Sequence, residues 1–585
     1  MIRLLAKLMS VVLFCGIYSQ PAQPQSSTPA PQSPASAEQK KKTVYEPATV
    51  LKVTTRLVVL DVVATDRRGQ AVTDLKPQDF TVLEDGKRQE VRMFNFRHPP
   101  LTNAALAAQK PIKLPPNVFA NIPAYNPSNS LNVIVLDLLN TDFDDQAYGR
   151  QQILKYLASI PEGEPIAVAV YILGKKLHLV QDFTSDFAAL RTAINEIKSE
   201  HSVVLDNPAA GVSPDVKELV PPPPTRLKEF SKVYEGTEQL DRRVQYTLDG
   251  LMALARHLSG YAGRKNLIWI STAFPIGVGP DESLGPNEFD NLRDYQQAII
   301  SASQALVDAQ IAVYPVDPRG PLGESMYGGH GTAPDSQVMT LTAETGSGVA
   351  EQNTMKQVAQ LTGGKAYYNQ NDIDDAIRNS IADGSTYYTL AYNPDNKEWN
   401  GEFRKIAVKV DRRGVKLRHR PGYYALKTST ALDSRLIYAA FGRALNLDSP
   451  ISTGLRFEAG LVQPSAKTQN KALLNFALDP HAVSFEKQDD GLQHAKVDCV
   501  VEAFTDKGQL VKTDASTLTV ALDAPTFAKA MQSFLKAQVS IDLAPGFYLL
   551  RLGVMDERTG LIGTTTATVT IAPSTAEGKT EGIKP

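Results

Sequence analysis

The chain has 585 residues, 42% of them hydrophobic and 21% charged, with 61 Lys and Arg against 63 Asp and Glu for a formal net charge of -2. That is the composition of a globular protein too long for one core, with room for roughly three or four domains. The charge balance gives no reason to expect nucleic acid or an anionic membrane as partner. Two cysteines, Cys15 and Cys499, exclude thiolate zinc sites and Cys-pair redox chemistry.

The chain opens on a targeting segment. Arg3 and Lys7 form a positive n-region, and Leu8 to Tyr18 is an apolar run that stops short of the about 20 residues a membrane-spanning helix needs. Residues 1–22 therefore read as a secretory signal peptide, cut near Ser19 or Ala22. Cys15 leaves a lipoprotein alternative, against which the bulky Phe14 argues. The expected location is secreted, periplasmic or cell envelope, with no transmembrane segment. Residues 23–47, rich in Pro, Ser, Ala and Gln, read as a disordered linker.

From Val53 the pattern turns to alternation and β-branched residues, with Asp85-Gly86 a hairpin signal between FTVLE and KRQEVRMF. About 48–98 reads as a small β-sandwich-like module. Next, LNVIVLD at 131–137 is a strand-length apolar run, as a parallel strand covered on both faces should be. Beyond it strands and helices alternate through IAVAVYIL, KLHLVQDF, KNLIWIS and IAVYPVD, the pattern of βαβ units. An excursion at about 199–238, containing Pro221 to Pro224, reads as an inserted loop. After YYTLAYNP, FRKIAVKV and VKLRHRPGYYAL come a connector helix at about 430–450 and a strand-rich C-terminal β-sandwich at about 452–573. The fold class expected is multidomain: a central α/β doubly wound domain over about 130–426, flanked by N-terminal and C-terminal all-β sandwich-like domains. Arg418, His419 and Arg420 read as a solvated face, Tyr387, Tyr388 and Tyr392 as core or edge aromatics, and Cys499 as a buried small hydrophobe.

Several phrases together carry a resemblance. LVVLDVVATDRRGQAVTDLKPQDFTVLEDGK, LDLLNT, GRKNLIWIS, LTGGKAY, YTLAYNP, GEFRKIAVKV and LRHRPGYYA occur in the order seen in von Willebrand factor A (VWFA) domains. The chain most resembles the bacterial secreted VWFA-related group of acidobacterial type. The resemblance implies a doubly wound α/β domain and, in many members, a metal-ion-dependent adhesion site. Such a site takes an Asp, two hydroxyl side chains two and four residues on, a Thr from a second loop and an Asp from a third; a partner carboxylate completes the shell around the cation. Asp137 matches the first carboxylate, Thr141 the second hydroxyl and Thr247 the second-loop Thr. Leu139 stands where the first hydroxyl belongs, and Ser271 or Thr272 where the third-loop Asp belongs. Asn140, Asp142, Asp144 and Asp317 are auxiliary oxygen donors for Mg²⁺, Mn²⁺ or Ca²⁺, hard cations that favour oxygen ligands. Asp145 shares the alternative reading of Asp142 and Asp144 as the acidic start of a helix.

No HExxH, GxSxG or GxxxxGK[ST] motif is present. The functional expectation is a non-enzymatic adhesion or protein-binding protein with a degenerate metal site. Two alternatives stay open: a metal-independent envelope scaffold, and an envelope-polymer hydrolase using Ser325 and His330.

Overall fold

The computed structural model describes residues 57–98, 114–123, 131–161, 164, 166–200, 225–272, 296–319, 352–426, 434–465 and 471–572, with side chains of the helix at 225–258 described from residue 242 onward. The signal segment 1–22, the linker 23–47, Ser325 and His330 lie outside the described residues.

The first four strands are β1 (Val58–Thr65), β2 (Phe80–Glu84), β3 (Lys87–Gln89) and β4 (Val91–Arg97). Asp85 and Gly86 join β2 to β3 with φ of 46° and 82°, the left-handed pair that a two-residue hairpin turn requires. A short β5 (Val118–Ala120) precedes β6 (Leu131–Asp137). Then come α1 (Phe143–Ser159), β7 (Ala167–Leu173), β8 (Leu177–Thr184) and α2 (Phe187–Asn195). The helix α3 (Thr225–Leu258) leads to β9 (Lys265–Ile270), and α4 (Gln296–Asp308) to β10 (Ile311–Val316). The helices α5 (352–362) and α6 (Ile373–Ser385) follow.

The order β10-β9-β6-β7-β8 makes one five-stranded sheet, parallel except for the antiparallel β8. All seven residues of β6 are buried because apolar side chains cover both faces. Leu131, Val133 and Val135 pack with Leu251 and Leu254 of α3 and Leu306 of α4. Ile134 and Leu136 pack with Ile153 of α1, Leu190 of α2 and Ile377 of α6. Local chemistry sets the helix starts: Asp186 accepts from the amides of Ala188 and Ala189, and Asp144 and Asp145 lie in the first turn of α1, where the helix dipole favours carboxylates.

The next strands are β11 (Tyr387–Tyr392), β12 (Phe403–Val410), β13 (Lys416–Arg418) and β14 (Gly422–Tyr424). They turn back to the start of the chain, giving two four-stranded sheets, β13-β1-β11-β4 and β14-β12-β2-β3. Between these sheets Leu60, Val62, Phe80, Val82, Leu390 and Ile406 form the core. Buried Glu84 accepts hydrogen bonds from Tyr392 (2.6 Å), Tyr423 (3.0 Å) and Arg404 (3.4 Å), so four strands share one carboxylate.

After α7 (Ser434–Leu445) come β15 (Phe457–Val462), β16 (Ala472–Leu478), β17 (Glu486–Lys487), β18 (Gln493–Phe504) and β19 (Leu510–Leu522). The helix α8 (Ala524–Ala530), β20 (Leu535–Ile541), β21 (Gly546–Asp556) and β22 (Ile562–Ile571) end the described chain. Sheet β20-β16-β15-β5 packs against β17-β18-β21-β22, with β19 on β18. Cys499 is fully buried in this core, and burial pushes its thiol far above the ordinary value.

These pairings correct the expected plan of a central doubly wound domain flanked by two separate β domains. The described residues are mostly β, with 22 strands in five sheets and eight helices. Strands β11 to β14 fall inside the span assigned to the α/β domain, yet their partners are β1, β2 and β4. Likewise β5, upstream of β6, completes a C-terminal sheet through β15. The physical reason is that the sheet-forming groups of β1, β2 and β4 find their partners in β11, β12 and β13 rather than in one another, as buried backbone groups must be paired. The excursion differs too: α3 starts at Thr225, so its last part is helix rather than loop.

The N-terminal ends of β9 and β10 stand on the first sandwich through polar contacts. Arg264 donates to Tyr314 Oη (3.1 Å) and to Gly363 O (2.9 Å), and its backbone amide donates to Tyr387 Oη (3.0 Å). Arg420 donates to Val59 O (2.9 Å) and Arg418 is paired with Asp383. The 418–420 cluster is half-buried in this seam, not a solvated face. Tyr387, Tyr388 and Tyr392 are buried. Lys265 is buried with its Nζ on Ala309 O at 2.7 Å, and burial pulls its ammonium down to about 7 against the opposing pull of Asp61.

Two expectations follow. In an unfolded chain Lys265 stays protonated to about pH 10, so between about 7 and 10 the unfolded state binds the extra proton and stability rises with pH. Urea unfolding at about pH 6, 8 and 10 should show the deficit of wild type relative to Lys265→Met greatest at the lowest pH and shrinking upward; a pH-independent difference would contradict the assignment. Separately, a Cβ on Gly364 would lie 1.9 Å from Val313 O, a backbone atom of β10. Gly364→Ala is expected to cost about 3 kcal/mol or more by overpacking, read from the shift of the urea midpoint.

Candidate functional site

Strand β6 delivers Asp137 at its carboxyl end, the edge of a parallel sheet where ligands usually bind. Its carboxylate is fully buried and surrounded by donors. Oδ1 accepts from the backbone amides of Leu139 (3.0 Å) and Asn140 (2.9 Å). Oδ2 accepts from Asn140 Nδ2 (2.8 Å), Trp269 Nε1 (3.0 Å) and Ser271 Oγ (3.0 Å). Burial raises the Asp137 pKa, and the bonds from Asn140, Trp269 and Ser271 pull against that rise.

Asn140 extends the network. Its Nδ2 also donates to Thr247 Oγ1 of α3 at 2.9 Å, and its Oδ1 accepts from Arg243 Nε at 3.2 Å. The amide orientation follows from its partners, because a carboxylate only accepts and a guanidinium only donates. Thr272 closes the rim: its Oγ1 donates to Asn140 O (2.6 Å) and its backbone amide to Thr141 Oγ1 (3.4 Å).

Of the residues expected at a site, the fold thus joins Asp137, Asn140 and Thr247 directly, and Thr141 through Thr272. The others stand apart from this network. Asp317, buried at the end of β10, is held in a two-pronged ion pair by Arg319, with contacts of 3.0 and 2.9 Å. Asp142 and Asp144 are exposed at the start of α1. Half-exposed Asp145 has its pKa raised by burial and by the charges of Asp142 and Asp317. Phe143 is 40% exposed among them.

The residues present do not fit a hydrated divalent cation. Mg²⁺ wants six oxygens at about 2.0–2.1 Å, whereas a carboxylate with about four lone-pair sites here already meets five protein donors. Leu139 is buried in the apolar core, and Ser271 turns its hydroxyl toward Asp137 instead of offering a second charge. Among the described residues, no group of three or more His, Cys, Asp or Glu is placed to hold a metal.

Two participants were not legible as site residues. Trp269 sits in the apolar run KNLIWIS and reads as core; the signal was its indole N–H, which needs an acceptor when buried. Arg243 reads as an ordinary helix-surface cation, and nothing in its sequence neighbourhood pointed to Asn140.

Among the described residues no helix is long and apolar enough to cross a membrane. No family model matches the chain and no curated protein matches it. Among solved structures, the chain is similar to an aerotolerance-related membrane protein from Bacteroides fragilis NCTC 9343, at 12% identity over 43% of this chain and 98% of that one, with a TM-score of 0.22. It is similar to the conserved hypothetical protein BatB from Bacteroides thetaiotaomicron, at 13% identity over 43% of this chain and 97% of that one, TM-score 0.20. A von Willebrand factor type A protein from Catenulispora acidiphila shares 8% identity over 84% of this chain and 75% of its own, TM-score 0.20. Likeness at this level establishes no fold.

Proposed function

We propose that this is a secreted, non-enzymatic protein-binding component of the bacterial cell envelope, related to the VWFA-like secreted group through the phrases described above. In this reading it engages its partner at the carboxyl end of the β10-β9-β6-β7-β8 sheet. The observation that supports the reading is the consumption of the polar side chains under that rim. Asp137, Asn140, Thr247, Ser271 and Thr272 are spent on one another. A carboxylate saturated by five donors is neither a general base nor a nucleophile, because both roles need a lone pair aimed at substrate. What the rim offers outward is shape and charge: Phe143, half-exposed, between the carboxylates Asp142, Asp144 and Asp145. Such a surface suits a partner presenting basic side chains around an apolar group, and it needs no cation bridge.

The test uses the mature protein immobilised and challenged with envelope extract. Retention of a partner should survive EDTA and should fall about tenfold or more in a Phe143→Ala, Asp144→Lys variant, as for loss of an interface anchor. Retention that EDTA abolishes, retention unchanged in the variant, or turnover of an envelope polymer would each overturn the reading.

A further inference from the structure

We infer that Arg243 and Asn140 together form a built-in substitute for a divalent cation, the amide supplying the bridge and the guanidinium the charge. This rests on the reading of the rim given above only for its consequence, recognition without a metal; the chemistry stands on the geometry alone.

The bridge is the first half. In an adhesion-type site the cation joins the first-strand carboxylate to the second-loop threonine. Here one nitrogen, Asn140 Nδ2, lies 2.8 Å from Asp137 Oδ2 and 2.9 Å from Thr247 Oγ1. It makes the same connection with two N–H bonds. Those lengths are ordinary for hydrogen bonds, so the amide nitrogen occupies the place between the two oxygens and meets both with N–H donors.

Charge is the second half. An ionised carboxylate buried without compensation is costly, and none of the five donors described for Asp137 is a cationic side chain. Arg243 reaches it through one amide: Nε donates to Asn140 Oδ1 at 3.2 Å. A guanidinium pulling on the amide oxygen polarises the amide and strengthens its N–H donors, as in other hydrogen-bonded chains of low dielectric. The order guanidinium, amide, carboxylate carries positive potential to where a cation would place it, and Arg243 itself is only partly buried. Ser271 in place of a carboxylate then follows, since a carboxylate there would remove a donor from Asp137 and add a second acceptor.

The probe is Mn²⁺, with thermal unfolding and electron paramagnetic resonance as readouts. Wild type should show no bound Mn²⁺ and no shift in Tm at millimolar metal. Asn140→Asp exchanges the donor for a second carboxylate facing Asp137. It should lower Tm by about 3 °C or more without metal, then bind Mn²⁺ and recover much of that loss. Asn140→Ala should lose Tm similarly with no recovery, because it adds no ligand. Arg243→Gln should lower Tm without creating a metal site. Mn²⁺ bound by wild type and lost in Asp137→Asn would overturn the inference, as would an Asn140→Asp protein that stays indifferent to Mn²⁺. If Asn140→Asp does not fold with or without metal, an Asn140→Ala protein as stable as wild type would overturn it. Partner retention is a separate measurement, so failure of the binding reading leaves these outcomes intact.

Discussion

The carboxyl end of the sheet is organised by one constraint: Asp137 is a carboxylate with no access to water, and it must be surrounded by donors. The donors come from three directions. The backbone of the loop after β6 turns back on Oδ1, while β9 contributes Trp269 and Ser271 to Oδ2. Asn140 then ties the same oxygen to Thr247 of α3. Each bond taken alone is modest, but removing a donor leaves a buried charge short of a partner, and that penalty is larger than the gain from forming one bond. The loop shape, the pairing of β6 with β9 and the seat of α3 are therefore not independent features. They are set together by the need to satisfy one side chain.

The opposite end of the sheet meets the same problem with the opposite charge. Arg264 and Lys265 enter β9 from the seam with the first sandwich, buried among tyrosine hydroxyls and backbone carbonyls. Arg264 keeps its charge and spends its donors on neighbours; Lys265, with its Nζ on a carbonyl oxygen, is drawn toward neutrality. A strand that carries Arg264 and Lys265 at one end and faces a carboxylate at the other cannot slip by one residue without burying polar or charged groups against an apolar helix face. The polar ends fix the register of the centre, where uniformly apolar side chains would not discriminate between registers.

Much of the element pattern was legible. LNVIVLD, IAVAVYIL, KNLIWIS and IAVYPVD each become strands, and Asp85-Gly86 makes the turn its residues require, because these features depend on neighbours a few residues apart. What could not be read was which strands share a sheet. The Thr389 hydroxyl bonds Asp61 across 328 residues (2.8 Å), and nothing in the alternation of either strand names the other as partner. The domain plan failed at that point: β11 to β14 follow the helices in sequence but complete the sandwich begun by β1. Half of the site was legible for the same reason. Asp137, Asn140 and Thr141 are close in sequence to the strand that presents them, whereas the donors Trp269, Ser271 and Arg243 arrive from elements more than a hundred residues away. Position marked the site, but only three-dimensional pairing shows which donors its oxygens meet.

That distinction bears on how such a rim can be controlled. A metal bridge dissociates, so its strength follows the concentration of the ion and the carboxylate a partner brings to it. An amide bridge is part of the chain, present in every molecule at the effective concentration of a side chain held by its own loop. In the proposed reading, with the central oxygens already satisfied, a partner at this rim would complete no coordination shell and would gain affinity from what lies outside it: the aromatic face of Phe143 and the flanking carboxylates Asp142, Asp144 and Asp145. Specificity then resides in shape and charge of the outer surface, while the buried network contributes rigidity. If the rim is the binding surface proposed, the same substitution that removes a switch also removes the requirement for one, because a rigid network needs no ordering on binding.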